Sequence, residues 1–389
     1  MKKLNIMIIP MLPTLYGRRY QLSKYLAKKN EVHLILWNMP YPVTLKNLLS
    51  NLKDSWRYKK SKREGIVIHK IRRLPFFFPL INRWFFQKQI KKIFNNFNID
   101  IIISESFFSE TEPPPDLPII SDLNDYYEAY AEIYGSRFYK LAYKFLKVKG
   151  TIEGQVKRAK AVFAVSNILF EQAQKNNKNV FKIPNGVESW VLYKKYNRGK
   201  YNFGMHSLIY VSTFGQWSGL PNLLHVVYEL KKDFKDIKLV LVGEGPQIPE
   251  AIKLIRILNL NENVKLFGSV WDRKKLFEII NSCEVCLNIS QKNAFRDAAS
   301  PIKIFEYSAL GKKIVSPNLE EVKKLDFPNI FFYEEFEKTK NLAITIKKAL
   351  LEKIDDEKVK LKVKQYTWEN ITNNIEKILY QCLSEMRQI

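Results

Sequence analysis

Two successive series of short apolar runs, each alternating with helix-like stretches, restrict this chain to an α/β architecture. The first series is Leu4–Ile9, Glu31–Trp37, Ile66–Ile71, Ile99–Ser104, Pro118–Ser121, Val162–Ser166 and Val180–Ile183. The second restarts at Ser207–Ser212 and runs through Ile237–Val242, Val264–Phe267, Val285–Ile289, Lys313–Ser316 and Ile330–Tyr333. Runs this short and this apolar read as strands buried on both faces, and the helices between them call for parallel sheets covered on either side. Two series in 389 residues, 46% of them hydrophobic, make two doubly wound domains with a core each. The expected division is residues 1–188, with a returning helix at about 372–389, and residues 189–371. A strong turn signal closes the first series: Asn185-Gly186, within Pro184–Glu188 (PNGVE), follows a strand directly.

Ligands of such sheets gather where strands end at their carboxyl side. After the first strand this places Tyr16, Gly17, Arg18 and Arg19, where glycine permits close backbone approach and the arginines suit phosphate. An ordinary helix start with solvated arginines fits the same residues. Asp122, Asn124 and Asp125 fall at the end of a later strand of the same sheet.

Ser300–Pro317 (SPIKIFEYSALGKKIVSP) reads as a short helix and a buried strand. Ser300 is a good N-cap, Pro301 suits the first helical position, and Gly311 is a stop. Ile302, Phe305 and Ala309 form one stripe; Ser300, Lys303 and Glu306 or Tyr307 form another. A helix start with a lysine in its first turn suits a phosphate, and a carboxylate one turn on can accept from two sugar hydroxyls. A plain surface helix with a solvated Lys303–Glu306 pair is the alternative.

The formal charge is +25, and residues 1–100 hold 21 Lys and Arg against 4 Asp and Glu. The first half therefore faces something anionic: lipid headgroups, nucleic acid or a phosphate-bearing substrate. Trp56–Arg63 (WRYKKSKR) is a basic run, and Arg72–Lys92 interleaves six aromatic with six basic residues. Phe76, Phe77, Phe78, Arg83, Trp84 and Lys88 in that segment suit an anionic membrane interface. Stacking on single-stranded nucleic acid, or a core helix with its Phe residues on the sheet, would use the same residues. Three cysteines are too few for a disulfide framework and point to a reducing compartment. Cys283 and Cys286 form a CxxC without a second pair, in a strand-like setting, so no zinc site is expected. Met1–Pro10 does not read as a signal peptide, and no apolar run reaches the roughly 18 residues of a bilayer span.

An ordered set of motifs resembles the retaining glycosyltransferases of family 4, which have the two-domain GT-B architecture. The motifs are PNGVE at 184–188, LVGEGP at 241–246, SPIKIFEYSALGKKIV at 300–315 and YTWENI at 366–371, with VSNIL at 165–169 in support. The resemblance covers about residues 160–375 and is weak before them. It implies two Rossmann-like domains facing a cleft, with a C-terminal helix crossing back to the first. It further implies a nucleotide diphosphate sugar as donor, transfer with retention, and no bound metal or other cofactor. Carried over by position, Glu306 would hydrogen-bond the ribose hydroxyls and Lys303 the diphosphate. Ser300, Pro301 and Asn185 would belong to the same donor site, and Gly215, Gly243, Glu244 and Gly245 would line the nucleotide pocket. The acceptor would face Gly17 and Asp122–Asp125, with Asp122, Asp125 and Gly17 as the catalytic candidates.

Three departures from the family pattern matter. The partner glutamate expected eight positions before Glu306 is Ala298, leaving Asp297 or Arg296 as substitutes unless that contact is lost. The loop after the first donor-domain strand has Gln216 and Ser218 where cations are usual, so Arg296 and Lys303 would supply the positive charge. None of the four histidines, His33, His69, His206 and His225, lies where the family places one. The expectation is a sugar transferase at the cytoplasmic face of a membrane, acting on a lipid-linked or envelope glycan acceptor. A catalytically divergent GT-B protein or a basic nucleic-acid-binding protein is the alternative, although no nucleic-acid motif is present.

Overall fold

The computed structural model describes residues 3–11, 15–37, 58–73, 79–105, 109–134, 137–145, 148–194, 196, 201–334 and 339–387. The chain forms two compact units, Met1–Pro184 with Trp368–Ile389, and Asn185–Thr367.

The first unit holds β1 (Asn5–Ile9), β2 (Glu31–Trp37), β3 (Lys59–Arg63), β4 (Ile66–Ile71), β5 (Ile101–Ser104), β6 (Ile119–Leu123), β7 (Ala161–Ala164) and β8 (Val180–Lys182). Their order is β3-β4-β2-β1-β5-β6-β7-β8, parallel except for β3. The apolar runs marked seven of these strands, most of them buried on both faces, whereas the edge strand β8 is only partly buried. β3 corrects the expectation of a wholly parallel sheet. All five of its side chains are exposed, so no apolar alternation marks it. It forms through a hairpin instead: Glu64 and Gly65, both at positive φ, make the two-residue turn that returns the chain into β4.

The helix Trp368–Arg387 belongs to this unit. Trp368, Ile371, Ile375, Ile378, Leu379 and Leu383 recur at three- and four-residue spacing and enter one core with Leu4, Leu22, Leu26 and Ile101. Polar contacts hold its outer edge: Lys28 to Glu369 at 3.0 Å, Lys29 to Asn373 at 2.6 Å and Asn30 to Glu376 at 2.6 Å.

The second unit holds β9 (Ser207–Val211), β10 (Lys238–Val242), β11 (Val264–Leu266), β12 (Val285–Leu287), β13 (Lys313–Pro317) and β14 (Ile330–Tyr333), all parallel in the order β11-β10-β9-β12-β13-β14. Side chains alternate across this sheet. Leu208 and Tyr210 join Leu239, Leu241 and Leu287 on one face; Ile209 joins Val240, Val242, Cys286 and Ile314 on the other. Cys283 and Cys286 are thus core residues, and burial pushes the Cys283 thiol up to about 12. The strand order reverses its direction of growth between β9 and β12, and in the first unit between β1 and β5. Those switch points are where doubly wound sheets open a crevice at their carboxyl ends. Among the described residues no helix is long and apolar enough to cross a membrane. Nor do three or more His, Cys, Asp or Glu gather as metal ligands among them.

Candidate functional site

In the second unit, the segments following β9 and β12 meet around the helix Ile302–Ala309. Tyr210, the fourth residue of β9, ties them: its hydroxyl lies 2.9 Å from the carbonyl oxygens of both Ser218 and Ile289. The helix begins one residue later than its sequence suggests. Pro301 occupies the cap position, without a side-chain cap. Ser300 does not cap because it is turned to Asn185 instead. Its Oγ accepts from the Asn185 backbone N–H at 3.3 Å, and its carbonyl accepts from Asn185 Nδ2 at 2.7 Å. The PNGVE turn and the Ser-Pro lead therefore support one another in the buried interior. Gly311 ends the helix region at φ +64°, a conformation that costs a non-glycine residue strain.

Lys303 points back to β9. Its ammonium donates to the Val211 carbonyl at 2.8 Å and lies 5.1 Å from the centre of the Tyr210 ring. Burial first, and then the neighbouring charge of Arg296, lower its pKa to about 7, against the opposing pull of Glu306. Arg296 sits in the short helix Ala294–Asp297, its guanidinium 5.2 Å from the centre of the Phe295 ring and its Nε buried without a hydrogen bond. Asp297 is committed elsewhere, accepting from the Glu320 backbone N–H at 3.1 Å, and Ala298 is fully buried. Of the two substitutes for the missing glutamate, Arg296 is the one whose charge is felt by Lys303. The result is a pair of cations at the switch point, one of them on a helix first turn.

Glu306, 8% exposed, is held by a residue that sequence reasoning missed. Arg273 donates from Nη2 to Glu306 Oε1 at 2.7 Å and from Nε to Glu188 Oε2 at 3.1 Å. Its guanidinium lies 4.7 Å from the centre of the Phe277 ring, one helical turn on. Burial alone would lower its pKa, but the two carboxylates outweigh that and the net direction is upward. Arg273 opens the helix Arg273–Asn281, whose Asp272 N-cap accepts from the N–H groups of Lys274 and Lys275. In the sequence it is indistinguishable from any arginine at a helix start. The signal was Glu188, an acid in a turn that needed none.

The glycines of LVGEGP serve close packing. A Cβ on Gly243 would lie 1.9 Å from the Ser212 carbonyl oxygen, and one on Gly245 would lie 2.2 Å from that of Thr213. Both also have φ in the region that side chains avoid. They lie against the backbone of the loop after β9, where Gly215 precedes a 3₁₀ turn. Ser218 in that turn is fully buried and donates to Gln247, whereas Gln216 is exposed. Glu244 is exposed, with Oε1 accepting from the Ser269 N–H at 3.4 Å.

The first unit arranges its charges differently. Arg18 forks onto Asp122 at 2.9 and 3.0 Å, both side chains buried, and donates to the Pro184 carbonyl at 3.1 Å. Arg19 meets the buried Glu105 at 2.8 Å. Arg18 and Arg19 are therefore paired with acids rather than solvated as at an ordinary helix start. Asp122, 2% exposed, has its carboxylate hydrogen-bonded to Arg18. Glu105, which the sequence reading passed over, is raised to about 7 by burial, despite Arg19. Gly17 precedes the helix Arg18–Leu26 at φ +76°, and Asp125 borders a cavity of about 220 Å³ with Tyr126, Tyr127 and Lys149.

Phe76, Phe77 and Phe78 lie outside the described residues. In the helix Pro79–Asn96, Phe86, Ile90 and Ile93 turn into the core. Leu80 and Trp84 are 80% and 57% exposed, and Lys88 lies 5.0 Å from the centre of the Trp84 ring. Arg83 instead pairs with Glu112 at 2.6 Å.

Known proteins resemble this chain in two ways. Residues 206–351, the segment containing the Arg296, Lys303, Arg273 and Glu306 geometry, match the family described as Glycosyl transferases group 1. N-acetyl-alpha-D-glucosaminyl L-malate synthase of Bacillus anthracis is 23% identical over 148 residues, 36% of this chain. That match spans only 38% of the relative's own length. The likeness in fold extends over nearly the whole chain. A glycosyltransferase from Rickettsia africae superposes with a TM-score of 0.63 at 17% identity, over 98% of this chain and 99% of that one. HepE of Anabaena, solved in complex with UDP, superposes with a TM-score of 0.65 at 14% identity, over 97% of this chain and 100% of that one. The chain thus has the two Rossmann-like units of GT-B glycosyltransferase structures, and residues 206–351 match the glycosyl transferases group 1 family.

Proposed function

We propose that this chain is a retaining glycosyltransferase of family 4. In this reading it moves a sugar from a nucleotide diphosphate sugar to a lipid-linked or envelope glycan acceptor, without a metal ion. The observation that carries the reading is the placement of Glu306 one turn beyond Lys303 at the switch point of a domain matching glycosyl transferases group 1. Glu306 accepts hydrogen bonds from the ribose hydroxyls, and Lys303 with Arg296 faces the diphosphate. The bond from the sugar's anomeric carbon to the β-phosphate oxygen breaks while the acceptor oxygen bonds to that carbon on the same face. The acceptor's proton passes to the departing phosphate. Positive charge fixed before the reaction stabilises the leaving group as its charge grows. The acceptor binds the first unit, at Gly17 and Asp125.

The test is a screen of nucleotide sugars for thermal stabilisation and turnover, followed by Glu306→Ala and Lys303→Ala. The nucleotide sugar that raises the melting temperature identifies the donor, because a ligand bound only to the folded state shifts the midpoint upward. Each substitution is expected to lower kcat/KM by about 100-fold, the scale of losing charge-assisted hydrogen bonds to the ligand. Full activity in both variants would remove this donor site.

A further inference from the structure

The contacts of Arg273 go beyond what the donor reading needs. A buried carboxylate meant to accept from two hydroxyls must keep one orientation before the ligand arrives. Glu306, 8% exposed, has its orientation set by Arg273. The Nη2 of Arg273 takes up one oxygen of Glu306, Oε1, at 2.7 Å. The guanidinium is itself immobilised on three sides, by Glu188 at 3.1 Å, by the Phe277 ring face and by the capped start of its own helix. Glu188 is 3% exposed and comes from the PNGVE turn, whose Asn185 is pinned to Ser300. The turn, the Arg273 helix start and the Ile302–Ala309 helix are thus joined through one guanidinium.

We infer that Arg273 is a positioning residue for Glu306, braced by Glu188, and that it sets how strongly the site distinguishes a ribose diol from a sugar lacking it. The inference rests on the proposed nucleotide-sugar reading. Arg273 need not touch the ligand. It holds the carboxylate so that Oε2 and the remaining lone pair of Oε1 are presented to two neighbouring hydroxyls. A lysine at this place would lack the second arm by which Arg273 is itself held: its Nη2 bonds Glu306 while its Nε is fixed by Glu188.

The experiment is calorimetric titration of the full chain with UDP, GDP and ADP, and with the 2′,3′-dideoxy counterpart of whichever binds. The wild type is expected to prefer the diol-bearing nucleotide by about tenfold or more, and Arg273→Ala to abolish that preference by weakening the diol form alone. Glu306→Ala is expected to give the same loss, and the double variant no more than Glu306→Ala, as residues acting through one contact do. Should Arg273→Ala not fold, Arg273→Gln is read in its place. Equal weakening of both nucleotides would mean a merely structural or long-range charge role and overturns the inference. Tighter binding of UDP, GDP or ADP by Arg273→Ala also overturns it, since Arg273 would then be competing for Glu306. The donor reading fails separately, when none of the three nucleotides binds or when Glu306→Ala keeps the preference intact.

Discussion

Lys303 meets two opposing demands. Its ammonium is buried against Tyr210 and beside Arg296, which brings its pKa to about 7, yet an anionic diphosphate requires it charged. Because the folded-state value lies below that of an unfolded lysine, the folded protein holds fewer protons between about pH 7 and the ordinary lysine value near 10.4. Stability from this residue is therefore present above the unfolded value and is lost as pH falls toward 7. Binding of a diphosphate runs the other way, since it restores the charge. Nucleoside diphosphate affinity is expected to fall progressively above about pH 7, with proton uptake measurable as a dependence of binding heat on buffer ionisation enthalpy. Lys303→Arg, charged throughout, should flatten that pH profile; an unchanged profile would exclude Lys303 as its source. At this scale the sequence was readable only in part. Glu306 and Lys303 stood out because their spacing puts them on one helix side. Arg273 did not, because its carboxylates lie 85 and 33 positions away and only the folded chain brings them together.

The strands were legible wherever both faces are buried, since continuous apolar sequence is the signature of that burial. β2 and β4 coincide with the expected ranges for this reason. β3 escaped, because its side chains are all exposed and its pairing is set by a turn. The start of the Ile302–Ala309 helix was misplaced by one residue for a different reason: Ser300 had a competing partner in Asn185 that no local pattern reveals. The helix Trp368–Arg387 offers a direct energetic test. Trp368 is 1% exposed and enters the core of the first unit, so Trp368→Ala is expected to destabilise that unit by about 3–5 kcal/mol. Urea denaturation followed by far-ultraviolet dichroism measures it, and a change below about 1 kcal/mol would show that the helix docks without its first residue.

Over the whole molecule, the positive charge is unevenly used. The acidic segment around Glu110–Asp116 neutralises part of it through Arg73–Glu110, Arg83–Glu112 and Lys91–Asp116. The cations of β3 remain exposed, and Leu80, Trp84 and Lys88 form an outward stripe on the helix Pro79–Asn96. We propose that the outward stripe of Leu80, Trp84 and Lys88 binds an anionic membrane. Flotation with vesicles containing phosphatidylglycerol is expected at low salt, with loss at about 1 M salt, where the screening length falls to about 3 Å. Trp84→Ala should reduce it severalfold, and flotation equal on neutral vesicles would remove the electrostatic part of the reading. The chain's path between its units carries a separate consequence. It leaves the first unit at Pro184 and returns only at Trp368, so residues 185–367 are inserted within the sequence of the other unit. On the ribosome the inserted unit is finished first. The first unit waits with the docking face for Trp368, Ile375 and Leu379 uncovered until that helix emerges, and any truncation that removes it strikes the half of the protein that was made earliest.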